Sequence, residues 1–170
     1  GPHVASKAMK FMLGDAHQTS TSRSVTPDDE EGNTRTAGAL VEAIQYVGAK
    51  QVAFTSPYVK TLSQEAVSYL TDSGIDVVNE VSFNQELNSL EQNALTPQDA
   101  YDKALKADHP DAQAIVISCT DYRALEAVPA IEKTLGKPVI TSNQALMFAC
   151  LTRLDAPLWG LTAGGYLFTD

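Results

Sequence analysis

The sequence predicts an α/β domain whose parallel sheet is covered by helices on both faces. Short apolar runs alternate along the chain with amphipathic segments of helical period, and glycine or proline separates many of them. Parallel strands need long crossover connections, which are usually helices that pack on the faces of the sheet. The strands of the α/β pattern are predicted at 51–55, 75–81, 112–118 and 138–141.

The predicted domain opens with a helix and a strand. The helix follows the capping residues 33–36, and apolar residues recur in it at helical spacing as far as Gly48. The strand 51–55 comes next. Pro57 is expected to end it, because proline lacks the N–H that a central strand contributes to the ladder. A helix over 60–73 then leads to the second strand.

Capping signals organise the rest of the chain. Residues 82–95 are polar and are expected to be irregular. Thr96, Pro97 and Asp99 supply an N-cap, a proline in the first turn and an acid at the third position of a helix that reaches about Ala107. The later predicted helices, which flank the fourth strand, cover 124–135 and 143–154.

Composition and turn signals set the expected domain boundaries. Residues 1–3 are interpreted as a remnant of tag cleavage, and residues 4–32 form a polar segment without an assigned structure. The α/β domain is expected over 33–155. A tail at 156–170 follows, in which a Gly-Gly turn leads to a last strand at 166–168.

The charge balance excludes several classes of partner. The 170 residues carry 12 Lys+Arg against 21 Asp+Glu, a formal net charge of −9, and 44% of them are hydrophobic. An acidic chain without a basic cluster is not expected to bind nucleic acid or a membrane. Without an apolar run of membrane-spanning length or a leader pattern, we expect a cytoplasmic protein. The histidines are scattered, so no metal site is predicted.

The predicted strand ends are the expected ligand-binding edge of the sheet. They carry Ser56 to Tyr58, Ser82 to Asn88, Cys119 with Thr120, and Ser142 with Asn143. Three of these four strand ends contain groups suited to a small carboxylate. Cys119 has two interpretations. It is either a small buried core residue, or a thiol whose pKa is lowered by a helix N-terminus that also binds the carboxylate. Cys150 lies in an apolar helix and is expected to pack in the core.

Two sequence blocks resemble the Asp/Glu racemase superfamily. Residues 116–126 (VISCTDYRALE) and 135–145 (LGKPVITSNQA) are similar to its second half, in the branch of maleate cis-trans isomerases and arylmalonate decarboxylases. The resemblance also covers 36–58 and spans about 33–155. It implies a flavodoxin-like half, or a truncated form of a fold in which two such halves face each other across a cleft. It also implies no cofactor, a small carboxylate substrate and a homo-oligomer.

The resemblance assigns roles to four residues. Cys119 matches the catalytic cysteine of the second half, and Thr120 is expected to donate a hydrogen bond beside it. Tyr58 and Asn88 match residues that bind the substrate. The chain departs from the pattern upstream: it has no cysteine before Cys119, so the first catalytic cysteine of the family is not seen in this chain.

The resemblance therefore implies a cofactor-independent isomerase or racemase that acts on a small dicarboxylate or amino acid through a cysteine thiol. Two alternatives stay open, a one-cysteine decarboxylase of malonate-type acids and a non-catalytic carboxylate-binding relic. A nucleotide-binding domain is not favoured, because neither G-x-G-x-x-G nor a P-loop motif follows any predicted strand.

Overall fold

A computed structural model describes residues 36–158 and 162–169. Its sheet contains four parallel strands in the order β2-β1-β3-β4. The strands are β1 Gln51–Val59, β2 Asp76–Phe83, β3 Ala114–Ile117 and β4 Val139–Thr141. The helices are α1 Thr36–Tyr46, α2 Lys60–Asp72, α3 Ser89–Ala94, α4 Pro97–Ala107, α5 Val128–Leu135 and α6 Ser142–Arg153. Two 3₁₀ helices, Leu125–Ala127 and Thr162–Phe168, complete the described part.

The sheet has an apolar layer on each face, because successive strand side chains point in opposite directions. On one face, Val52, Phe54 and Val116 pack with residues of α1, α2 and α6. On the other, Ala53, Ile115 and Ile117 pack with alanines of α4 and with α5. Both faces of β1, β3 and β4 are therefore buried, whereas the edge strand β2 is mostly half-buried. This arrangement confirms the predicted fold class of a parallel sheet covered on both sides.

Strand β1 continues through Pro57, so the prediction that proline ends it is wrong. The register between β1 and β2 shifts once between Val52 and Ala53. The pairing is interrupted again after Thr55, which pairs with Val81, and resumes only at Val59, which pairs with Phe83. Pro57 lies within this irregular stretch. Its missing N–H therefore removes no regular ladder bond, as expected for a proline at a bulge.

Residues 82–95 were expected to be irregular, which is correct for 84–88. Residues 82 and 83 instead complete β2, and residues 89–94 form the short helix α3. Asn88 is the N-cap of this helix, and Glu91 closes a capping box with it. The four residues Asn88 to Glu91 carried this signal in the sequence, but the segment is too polar to show an apolar helical stripe. The predicted capping box of α4, between Thr96 and Asp99, is present.

The prediction of a last strand at 166–168 is also wrong, because these residues belong to a 3₁₀ helix. Leu167 and Phe168 are consecutive and are both buried against the core. A strand would have sent them to opposite faces. Gly165, with a φ of 68°, supplies the turn that brings both inward. These residues of the tail, which the sequence analysis separated from the α/β domain, therefore pack on its core.

The expectations for residues 1–3 and 4–32 lie outside the described residues, as do the capping residues 33–35. Within the described ranges, no helix combines the length and the apolar character needed to cross a bilayer.

Candidate active site

Cys119 lies at the carboxyl end of the sheet, two residues after β3 ends at Ile117. Its backbone φ is 123°, a value that residues with a side chain rarely adopt. Only 6% of Cys119 is exposed. Its N–H donates to Ser142 Oγ over 3.0 Å. A strained backbone held in place by a buried hydrogen bond is typical of functional turns.

The N-terminus of α6 holds the cysteine loop. Ser142 accepts from the backbone of Cys119, and Asn143 Nδ2 donates to the carbonyl oxygen of Thr120 over 3.2 Å. Thr141 caps α6 through a reciprocal capping box with Gln144. The sequence block around residues 141–144 therefore has a structural explanation, since it builds the helix end that positions the turn after β3.

The side chain of Cys119 contacts Gln92, a residue that the sequence interpretation did not single out. The sulfur lies 3.1 Å from Gln92 Oε1, and the thiol donates to it. Gln92 is 8% exposed. Its Nε2 donates to the carbonyl oxygen of Leu87 over 2.9 Å. The only signal in the sequence was the capping box at Asn88, which would have placed a helix, and so Gln92, near the strand ends.

The thiol of Cys119 is neutral in the resting site. Burial raises its pKa to about 11, and this effect outweighs hydrogen bonds from the backbone of Asp121, the hydroxyl of Tyr58 and the backbone of Tyr122, which lower the pKa. The predicted fall in the pKa is therefore wrong. The expected N–H donors are present, but no helix begins at residue 120, since the next helical turn starts only at Leu125. Desolvation of the thiolate prevails.

Tyr58, near the end of β1, is brought to the same site. It is 5% exposed. Burial raises its pKa first, and the neighbouring Cys119 raises it further, while a hydrogen bond with Ser118 lowers it. Tyr58 therefore remains a neutral hydroxyl within hydrogen-bond reach of the thiol. The structure thus joins two of the four predicted site residues, whereas their roles toward a substrate stay predictions.

Thr120 and Asn88 are placed differently. Thr120 is half-buried directly after Cys119, and its carbonyl oxygen is the acceptor for Asn143. Asn88 is exposed, and its Oδ1 accepts from the N–H of Glu91 over 3.0 Å. On α3, the residue that contacts the thiol is Gln92 rather than Asn88. The substrate-binding roles of Thr120 and Asn88 stay predictions.

An aromatic wall closes the site on the side of α4. Tyr122 is 1% exposed, and its ring meets Phe83 edge-on with 6.5 Å between the centroids. Lys103 Nζ lies 4.2 Å above the Phe83 ring. Burial, and then the charges of Asp99 and the other neighbouring acids, raise the pKa of Tyr122. Tyr122 belongs to the same buried cluster as Cys119.

Cys150 is not a core residue as expected, because it is exposed on α6. It occupies the outer side of that helix, whereas Ala145, Phe148 and Ala149 take the inner side. Among the described residues, no group of three His, Cys, Asp or Glu side chains could hold a metal ion.

Comparisons with known proteins agree with this fold and show the family. A family model described as arylmalonate decarboxylase matches residues 6–166. A maleate isomerase of Geobacillus stearothermophilus is 31% identical over 132 residues, which cover 77% of this chain and 52% of that protein. An arylmalonate decarboxylase of Bordetella bronchiseptica is 25% identical over 116 residues, covering 66% and 47%. The chain spans about half the length of the curated relatives it matches.

Solved structures give the same result. A maleate isomerase from Pseudomonas putida, a cysteine-to-alanine variant with maleate, superposes with a TM-score of 0.74 at 32% identity, covering 78% of this chain and 53% of that one. A Nocardia farcinica maleate cis-trans isomerase, a cysteine-to-serine mutant with a covalently bound succinylcysteine intermediate, has a TM-score of 0.74 at 25% identity, covering 78% and 54%. The match over nearly the whole sequence, together with these relatives, shows that this chain belongs to the arylmalonate decarboxylase family, in the branch that includes the maleate isomerases.

Proposed function

We propose that the protein is a cofactor-independent isomerase of a small dicarboxylate, of the maleate isomerase type, in which Cys119 donates a proton to the substrate. The observation that carries this proposal is the state of the thiol. It is buried, its raised pKa keeps it neutral at pH 7, and it donates its hydrogen to the amide oxygen of Gln92. A group in this state is suited to act as an acid.

The geometry favours an acid over a resting nucleophile. The nucleophile in cysteine chemistry is the thiolate, and here burial keeps the pKa of Cys119 at about 11. A carbon that develops negative charge beside a carboxylate is far more basic than a thiolate, so a neutral thiol can protonate it. The N–H groups of Asp121 and Tyr122, which face the sulfur, would then stabilise the new thiolate.

In the isomerase reaction, a thiolate outside the described site adds to one alkene carbon of maleate. The electron pair of the double bond moves to the other carbon, which takes the proton of Cys119. The central bond is now single and rotates. The carbon then returns its proton to the Cys119 thiolate, the carbon–sulfur bond breaks, and fumarate leaves. The covalently bound succinylcysteine intermediate of the Nocardia farcinica relative supports this scheme.

A one-thiol decarboxylation is the second candidate. The family model favours it, and so does the position of Cys150, which is exposed on α6 and does not share the site with Cys119. In this reaction, the bond from the α-carbon to one carboxylate breaks and carbon dioxide leaves. The electron pair remains as an enediolate, Cys119 delivers its proton to the α-carbon, and the thiolate regains a proton from water.

The test is a proton NMR assay of the protein at its full natural length, in deuterated water, on maleate, aspartate and a malonate derivative. Conversion of maleate to fumarate supports the isomerase. Exchange of the α-proton of aspartate supports a racemase instead, and loss of carbon dioxide from the malonate supports the decarboxylase.

The matched variants are Cys119→Ala and Cys150→Ser. Cys119→Ala is expected to abolish turnover and retain binding of the substrate, while Cys150→Ser is expected to retain both. If the wild-type protein binds a carboxylate and converts none of these substrates, it is a binding protein and the enzymatic proposal is wrong. The substrate class and assembly as a homo-oligomer belong to the same proposal, and gel filtration tests the assembly.

A further inference from the structure

The orientation of the Gln92 amide follows from the groups on each side of it. The carbonyl oxygen of Leu87 can only accept, so the atom of Gln92 that lies 2.9 Å from it must be the Nε2 donor. The other amide atom, Oε1, therefore faces Cys119 at 3.1 Å. An amide oxygen can only accept. The hydrogen between the two groups must then belong to the sulfur.

We propose that Gln92 is a positioning residue that keeps Cys119 protonated and aims its hydrogen. Ionisation of the thiol would place a thiolate against an amide oxygen. To offer Nε2 to the thiolate instead, the amide would have to rotate by half a turn. That rotation would break the bond to Leu87 and bring two oxygens together. The bond to Leu87 therefore stabilises the thiol form relative to the thiolate.

The backbone of α3 is fixed independently of this amide. The N–H of Gln92 donates to the carbonyl oxygen of Asn88 over 2.9 Å, and the Asn88 side chain forms a capping box with Glu91. The amide is therefore presented from a helix end that does not depend on the thiol. Because Gln92 is 8% exposed, water cannot readily replace Leu87 as its partner.

Other groups around the sulfur also affect the pKa of Cys119, and none of them belongs to α3. Tyr58 faces it from β1, and the loop presents the charged Asp121 and the backbone of Tyr122. Asp99 and Asp102 of α4 lie behind Tyr122 and act on its hydroxyl. Substitution of Gln92 leaves all of these groups in place, so its effect on the thiol can be measured alone.

The role of the aimed proton rests on the proposed function, whereas the protonation state of Cys119 does not. The test therefore measures the thiol without substrate, in the Cys150→Ser background. The protein is treated with iodoacetamide between pH 7 and 10, and modification of the Cys119 peptide is followed by mass spectrometry. If the NMR assay shows no turnover, the measured reactivity of the thiol still stands. If the thiol measurement contradicts the role of Gln92, the proposed function is still tested by the NMR assay.

Two variants of Gln92 are expected to act in opposite directions. Gln92→Met removes the oxygen acceptor at similar size, so the pKa of Cys119 should fall by ~0.5–1 unit and modification at a fixed pH should become about threefold to tenfold faster. Gln92→Glu leaves an acceptor and adds a negative charge, so modification should become slower than in the parent. Asn93→Ala, at an exposed position of the same helix, is the control and should match the parent.

A merely structural role predicts a different pattern. If Gln92 only holds α3 in place, both variants loosen the site, and modification becomes faster in each. That result, or an unchanged rate in both variants, would overturn the proposal. Circular dichroism of each variant identifies any loss of folding, and the remaining folded variant still decides the sign of the shift.

Discussion

The bond between Ser142 and the cysteine turn gives the sharpest prediction about stability. Ser142 is fully buried, and its Oγ accepts from the N–H of Cys119 over 3.0 Å. Ser142→Ala leaves that N–H buried without its acceptor, at a φ of 123° that already disfavours the turn. An unsatisfied buried donor costs ~1–3 kcal/mol. We expect the free energy of unfolding to fall by that amount.

The assay is urea unfolding at pH 7, followed by circular dichroism, with a matched serine as the control. Ser68 is exposed on α2 and donates to the carbonyl oxygen of Gln64 over 2.9 Å. Ser68→Ala should change the free energy of unfolding by less than ~0.5 kcal/mol. The released turn should also expose the thiol, so iodoacetamide should modify Cys119 faster in Ser142→Ala. Equal stability of the two variants would refute the role of Ser142 in holding the turn.

Three further predictions concern a glycine, a helix cap and the site tyrosine. Gly165→Ala places a Cβ 2.6 Å from a carboxylate oxygen of α5 at a φ of +68°. It should cost at least ~1–3 kcal/mol by thermal unfolding, whereas Gly38→Ala, which meets nothing within 4 Å, should not destabilise. Thr96→Ala should cost ~1 kcal/mol at pH 7. The side-chain hydrogen bond of Thr96 lowers the pKa of Asp99, so the stability from this pair is fully present above the unfolded-state pKa and is lost as pH falls through the lower folded-state pKa. Urea unfolding of both proteins below pH 4 should therefore show a smaller difference, and an undiminished difference would contradict this origin. Tyr58→Phe removes a hydrogen bond that lowers the pKa of the neighbouring thiol, so the pKa should rise and modification by iodoacetamide at pH 9 should slow.

Local signals were enough to predict most of the elements. The four strands and five of the six helices were expected from apolar period, capping residues and glycines, because these features act over a few neighbouring residues. The misplaced elements have tertiary causes. Pro57 is tolerated because the pairing of β1 with β2 is irregular there, and residues 166–168 form a 3₁₀ helix because both Leu167 and Phe168 are buried in one core.

The sequence also predicted part of the candidate site. The carboxyl ends of the strands in a parallel sheet lie along one edge, so the sequence alone predicted that Tyr58 and Cys119 share a site. Asn88 lies close to the strand ends, as expected, but it is the N-cap of a helix that the sequence analysis did not predict. Its side chain caps that helix, and the contact with the thiol passes to Gln92, four residues later, where the next turn of α3 meets the strand ends.

The amino-acid sequence by itself determined the class of fold, the order of its elements and the place of Cys119 at a strand end. These depend on spacing and on nearest neighbours. Only the tertiary structure decided whether the thiol is charged. Its pKa depends on burial by residues from separate elements, and its hydrogen-bond acceptor comes from a residue 27 positions earlier in the chain. A local helix dipole was expected to lower the pKa, but burial of the thiol raises it, because an apolar surrounding penalises the charged form.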